Sequence, residues 1–193
     1  MIEAGADVVM LPYFRTAAEI ETLVKLVNGR AKVFPLLESK DAADHIEEIL
    51  QVPGIDEMHI GINDLCIDQG KTFMFQLLAD GTVEALIEKI KAVGIPYGFG
   101  GIAAPGKGML PAEYIIREHH RLGSSFVILS RSFCDTSKIM DLREIREIFE
   151  NGIRQIRQIE EEAESFTPEQ FAENHKEVEK RVQMIVGAIK KNQ

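Results

Sequence analysis

Cysteine is scarce: Cys66 and Cys134 are the only two in 193 residues, which argues against a disulfide framework. Long apolar runs are missing too, since none approaches the ~20 residues that span a bilayer. Positive charge is in short supply, with 22 Lys and Arg against 31 Asp and Glu and a net charge of −9. Nucleic-acid phosphates demand clustered cations, and anionic membrane surfaces ask for the same, so neither partner is expected. The opening Met1-Ile2-Glu3-Ala4 lacks the basic flank of a secretory signal. These deficits together predict a cytoplasmic protein. What remains is 45% apolar and 27% charged, enough to bury one sizeable core.

Five short apolar runs alternate with helix-like segments. They are Val8–Leu11, Val33–Leu37, Met58–Gly61, Tyr97–Phe99 and Phe126–Leu129. Each follows a glycine able to close the preceding helix in a left-handed conformation, at Gly5, Gly29, Gly54, Gly94 and Gly123. These glycines stand 24, 25, 40 and 29 residues apart, close to the length of one βα unit. Runs apolar on both faces predict parallel strands covered by helices.

The helices carry start signals. Thr16 with Glu19 forms a capping box ahead of Ile20, Leu23, Val24 and Val27. Ser39 can cap a helix over residues 40–50, and Val83, Leu86, Ile87 and Ile90 make a third apolar stripe. Pro111 suits a first helical turn before Ile115, Ile116, His119 and Leu122. The 40-residue interval holds an extra stretch, Phe73–Leu78, after the third strand. Two long amphipathic segments follow, roughly Ile139–Glu164 and Pro168–Lys190, with Thr167 and Gln170 as a second capping box. Repeated β then α predicts an α/β fold of the parallel (β/α)8 TIM-barrel type. Ile2–Gly5 has the look of a helix end without its beginning, so the barrel is expected to be incomplete. The domain expectation is a partial barrel over 1–138 and a C-terminal helical pair over 139–193, serving packing or oligomerisation. Two open sheet edges favour a homo-oligomer.

Two carboxylates stand at neighbouring strand ends. Glu38, in Pro35-Leu36-Leu37-Glu38-Ser39, ends the second strand, and Asp64, in Gly61-Ile62-Asn63-Asp64-Leu65, lies just past the third. Strands about 4.8 Å apart bring both to one rim, the rim where such barrels place their sites. An oxygen pair with room for water suits Mg²⁺ or Mn²⁺. The plainer alternative is that Glu38 starts a helix and Asp64 caps a loop. Gly98-Phe99-Gly100-Gly101, after the fourth strand, and Ser130-Arg131-Ser132, after the fifth, offer a phosphate loop or a bidentate carboxylate clamp. The alternative there is a tight turn and a surface ion pair. His59 lies inside a strand, which fits a packed core residue.

Gly5-Ala6-Asp7-Val8-Val9-Met10-Leu11-Pro12, Leu37-Glu38-Ser39 and Val52-Pro53-Gly54-Ile55-Asp56 with Ile60-Gly61-Ile62-Asn63-Asp64-Leu65 resemble the HpcH/HpaI aldolase and citrate lyase family. That family lies in the phosphoenolpyruvate/pyruvate barrel superfamily. The resemblance runs from about Ile2 to Ser132 and implies strands four to eight of the family barrel. It implies that Glu38 and Asp64 are the metal ligands and that the backbone amides of Asn63 and Asp64 take the substrate carboxylate; Gly101 and Arg131 are substrate-binding candidates on the loop reading above alone. It further implies a metal-dependent carbon–carbon lyase or aldolase acting on a pyruvate-like 2-oxo acid through a metal-stabilised enolate. The family's Arg and His would precede Met1, which leaves the catalytic acid and base unassigned. The competing expectation is a non-catalytic truncated barrel that binds metal or assembles with partners.

Overall fold

A computed structural model describes residues 2–191. The strands are β1 (Val8–Pro12), β2 (Lys32–Leu37), β3 (Met58–Ile60), β4 (Tyr97–Ile102) and β5 (Phe126–Leu129), ordered β1-β2-β3-β4-β5. The strand pairs β1–β2, β2–β3 and β3–β4 are parallel. Parallel strands in sequence order, with helices in the connections, are the repeat of a (β/α) barrel. The chain divides into two compact units, Met1–Gly100 and Gly101–Gln193, described in turn.

In the first unit, β2 is apolar on both faces and largely buried, and β3 is buried throughout. Between the strands lie α1 (Ala17–Val27), α2 (Lys40–Asp44), α3 (Ile46–Ile49), α4 (Ile62–Asp68), α5 (Gln76–Ala79) and α6 (Thr82–Ala92). The predicted stripes face inward: Ile20, Val27, Val83, Leu86, Ile87 and Ile90 are all buried. The Glu19 carboxylate accepts from the Thr16 N–H at 2.9 Å, as the capping box requires. The helix expected over residues 40–50 is instead two short ones. His45 breaks it, with φ −107° and ψ 21°. Both its backbone N–H and its Nδ1 lie at the Asp41 carbonyl, at 3.0 and 2.9 Å. That turn still delivers Ile46 and Ile49 to the core.

β4 is longer than the predicted three residues. Gly98–Gly101 are strand residues, not a loop following a strand. Gly98 pairs with His59 in the ladder, and the Gly100 carbonyl lies 2.7 Å from His59 Nε2. Glycine's weak strand preference hid this extension from sequence reasoning. His59 is fully buried, as expected of a core histidine, and burial holds its pKa below the ordinary value despite that contact.

The second unit contains β5, α7 (Ala112–Leu122), α8 (Leu142–Glu164) and α9 (Pro168–Lys191). Pro111 caps α7 from outside rather than opening its first turn. α8 and α9 both pack on α7. α8 approaches Phe133 so closely that a Cβ on Gly152 would sit 2.5 Å from the ring.

Between α7 and α9 a fully buried carboxylate, Glu118, gathers three partners. His175 Nδ1 lies 2.9 Å from Oε2, the Arg121 Nε donates to the same oxygen at 2.9 Å, and Asn174 donates to Oε1 at 2.8 Å. Burial pushes the Glu118 pKa up, but the bonds from His175, Arg121 and Asn174 outweigh it and the net shift is downward. Donating a hydrogen bond to Glu118 raises the pKa of His175 against the opposing effect of burial.

Candidate metal centre

Strand register builds the centre. Leu37 pairs with Ile60, and the Gly61 N–H continues the ladder by donating to the Leu37 carbonyl at 2.8 Å. The next residue on each strand is therefore Glu38 beside Gly61. A Cβ on Gly61 would lie 2.8 Å from both Glu38 Cβ and Oε2, and 3.3 Å from Leu36 Cδ1. Glycine is required there because the Glu38 side chain occupies the space.

Glu38 is 6% exposed. Its Oε1 accepts the Tyr13 N–H at 2.9 Å. Burial pushes its pKa up, and the nearby Asp64 carboxylate, within hydrogen-bonding reach, pushes the same way; the Tyr13 amide opposes both. The predicted pair thus meets. Asp64 is exposed, in the first turn of α4. The Leu65 N–H is bonded to the Gly61 carbonyl at 3.1 Å, so the amides of Asn63 and Asp64 belong to the first turn, whose N–H groups precede the helical ladder.

Ser39 does what the sequence predicted: its Oγ accepts the Ala42 N–H at 3.1 Å and caps α2. The same hydroxyl donates to the Phe14 carbonyl at 2.7 Å. That contact ties the loop after β1 to the end of β2.

Sequence reasoning missed Tyr13 and Asp68. Tyr13 is a non-glycine residue at φ 51°, a conformation that costs about 1–2 kcal/mol. Its hydroxyl donates to Asp68 Oδ1 at 3.2 Å, and Asp68 Oδ2 accepts the Lys40 N–H at 2.6 Å. The Lys40 amide is the main cause of the lowered Asp68 pKa. No periodicity marks such a loop residue; Pro12 before it signals only a strand end.

Gly101 and Arg131 lie in the second unit. A Cβ on Gly101 would stand 3.5 Å from Ser130 Cβ, and Arg131 is exposed in the turn that follows β5. Cys66 is buried, its thiol pushed up by burial, and Cys134 is half-buried. Among the described residues, no group of three or more His, Cys, Asp or Glu is placed to hold a metal. Glu38 and Asp64 are a pair, and the chemistry they fit is that of a hard cation completed by water or ligand oxygens. Two facing carboxylates, one held in a glycine cradle, gain most from a shared positive charge.

Residues 1–76 match the HpcH/HpaI aldolase/citrate lyase family. The matched segment holds Tyr13, Glu38, Gly61, Asp64 and Asp68. Solved structures of HpcH/HpaI proteins resemble the chain over a longer stretch. An HpcH/HpaI aldolase/citrate lyase family protein from Burkholderia cenocepacia J2315 superposes with a TM-score of 0.58 at 18% identity, covering 75% of this chain and 67% of that one. RipC from Yersinia pestis gives a TM-score of 0.57 at 19% identity, over 68% of this chain and 62% of RipC. The HpcH/HpaI aldolase from Desulfitobacterium hafniense DCB-2 gives 0.53 at 16%, over 80% and 65%. These likenesses establish the TIM-barrel-type fold. The chain spans 62–67% of the length of these three proteins. No curated protein matches the sequence significantly. Among the described residues, no helix is long and apolar enough to cross a membrane.

Proposed function

We propose that the chain carries the metal centre of a divalent-metal-dependent carbon–carbon lyase or aldolase acting on a 2-oxo acid. The observation that carries this reading is the meeting of the Glu38 and Asp64 carboxylates over the Gly61 cradle, inside the family-matched segment. Glu38 and Asp64 would hold Mg²⁺ or Mn²⁺. When bound, such a cation supplies Lewis acidity to a 2-oxo acid and stabilises enolate charge. The amides of Asn63 and Asp64, at the start of α4, present N–H dipoles to a substrate carboxylate. The Tyr13 amide holds Glu38 Oε1, so the other oxygen is the one available to a cation.

Oxalate imitates the planar, chelating form of a pyruvate enolate and tests the reading by calorimetry. Oxalate is expected to bind when Mn²⁺ is present and not to the metal-free protein. Binding of equal strength with and without the cation contradicts it.

A further inference from the structure

We propose that Tyr13 is the positioning residue of the carboxylate pair, setting Glu38 through its amide and Asp64 through its hydroxyl. This rests on the metal-centre reading above and adds a residue to it. The argument starts from an unfavourable backbone. Tyr13 sits at φ 51°, and a side-chain-bearing residue stays there only where its surroundings over-determine it. The surroundings do so through four contacts. Its N–H donates to Glu38 Oε1, 25 residues away, at 2.9 Å. Phe14, the next residue, is 1% exposed and its carbonyl is held by Ser39 Oγ at 2.7 Å. The Tyr13 hydroxyl donates to Asp68 Oδ1 at 3.2 Å, on the same short helix, α4, that carries Asp64. Arg15 lies over the Tyr13 ring, 5.5 Å from its centroid, and holds the ring from outside.

One residue therefore touches the Glu38 ligand directly and the helix bearing the other ligand at its far end. Asp68 in turn accepts the Lys40 N–H at 2.6 Å, which joins the start of α2 to the same point. Rotating Tyr13 toward an ordinary φ withdraws the amide from Glu38. Removing its hydroxyl leaves the end of α4 held at Asp68 by the Lys40 amide alone. Either change loosens the spacing between the two carboxylates without touching either of them.

The test is a Mn²⁺ titration of four forms of the 193-residue chain: wild type, Tyr13→Phe, Asp68→Ala and the double variant, each with a melting curve. Tyr13→Phe keeps the backbone and removes one partly exposed hydrogen bond, so Mn²⁺ binding is expected to weaken roughly three- to tenfold. Its Tm should fall by no more than about 4 °C. In the Asp68→Ala background, Tyr13→Phe should weaken binding no further, because the partner is already gone. An unchanged Mn²⁺ affinity in Tyr13→Phe overturns the positioning role while leaving the metal centre standing. So does an equal loss in both backgrounds. Wild type that binds no Mn²⁺ overturns the metal-centre reading and this inference with it.

Discussion

Gly61→Ala is expected to cut Mn²⁺ affinity by at least roughly tenfold, the scale seen when a group that orients a metal ligand is disturbed. The reason is steric rather than conformational. Gly61 has φ −79° and ψ 80°, which alanine can adopt, so backbone strain is not the cause. The added methyl would sit 2.8 Å from Glu38 Cβ and from Oε2. The oxygen can swing away, but the Cβ is fixed to the end of β2, so the carboxylate must turn as a whole. The accompanying overpacking costs about 1–3 kcal/mol of stability. Calorimetric titration alongside thermal melting separates the two effects. An alanine variant that melts lower yet binds Mn²⁺ as tightly as wild type means the cradle does not orient Glu38.

Glu118→Ala is expected to remove about 2–4 kcal/mol of stability, because it leaves charged and polar partners without their shared acceptor in a largely buried place. The carboxylate is fully buried, whereas the Arg121 and His175 side chains are 19% and 22% exposed, so water relieves part of the loss. The pH dependence has a definite sign. His175 has a raised folded pKa, so its contribution is complete below its unfolded value and is lost as pH climbs through the raised one. Glu118 has a lowered folded pKa, so its contribution is complete above its unfolded value and is lost as pH falls through the lowered one. Both contribute in full between about pH 4.5 and pH 6.5. Urea unfolding across that range should show wild-type stability declining on both sides, and Glu118→Ala should flatten both declines. A variant with wild-type pH dependence would show that the cluster is not what holds α9 to α7.

The strand–helix repeat was legible because it is local chemistry. Val33 and Phe34, adjacent and so on opposite faces, declare a strand buried on both, and Gly54 or Gly123 declares the turn that precedes one, each at positive φ. The carboxylate pair was legible for a related reason. A residue just past a strand end has its direction set by the ladder, so Glu38 could be placed once β2 and β3 were neighbours, whereas Asp64 is carried to the same rim by the first turn of α4. What escaped depends on contacts distant in sequence. The extension of β4 through Gly98–Gly101 is decided by its pairing with His59, not by propensity; the break at His45 is the local exception, its N–H and Nδ1 both at the Asp41 carbonyl. Tyr13 is invisible to pattern reasoning, since its contribution comes from an amide that points at Glu38 only at φ 51°. The Glu118 cluster is equally hidden. Glu118 lies in an otherwise polar stretch of α7, and its partners Asn174 and His175 come 56 and 57 residues later.

Electron paramagnetic resonance of Mn²⁺, titrated into the wild-type chain and into Glu38→Ala and Asp64→Ala, bears most directly on the centre. The free-ion signal should disappear until the chain holds a single Mn²⁺, and each substitution should restore it. A chain lacking both carboxylates that still quenches the signal as wild type does would place the ion elsewhere and end the lyase reading.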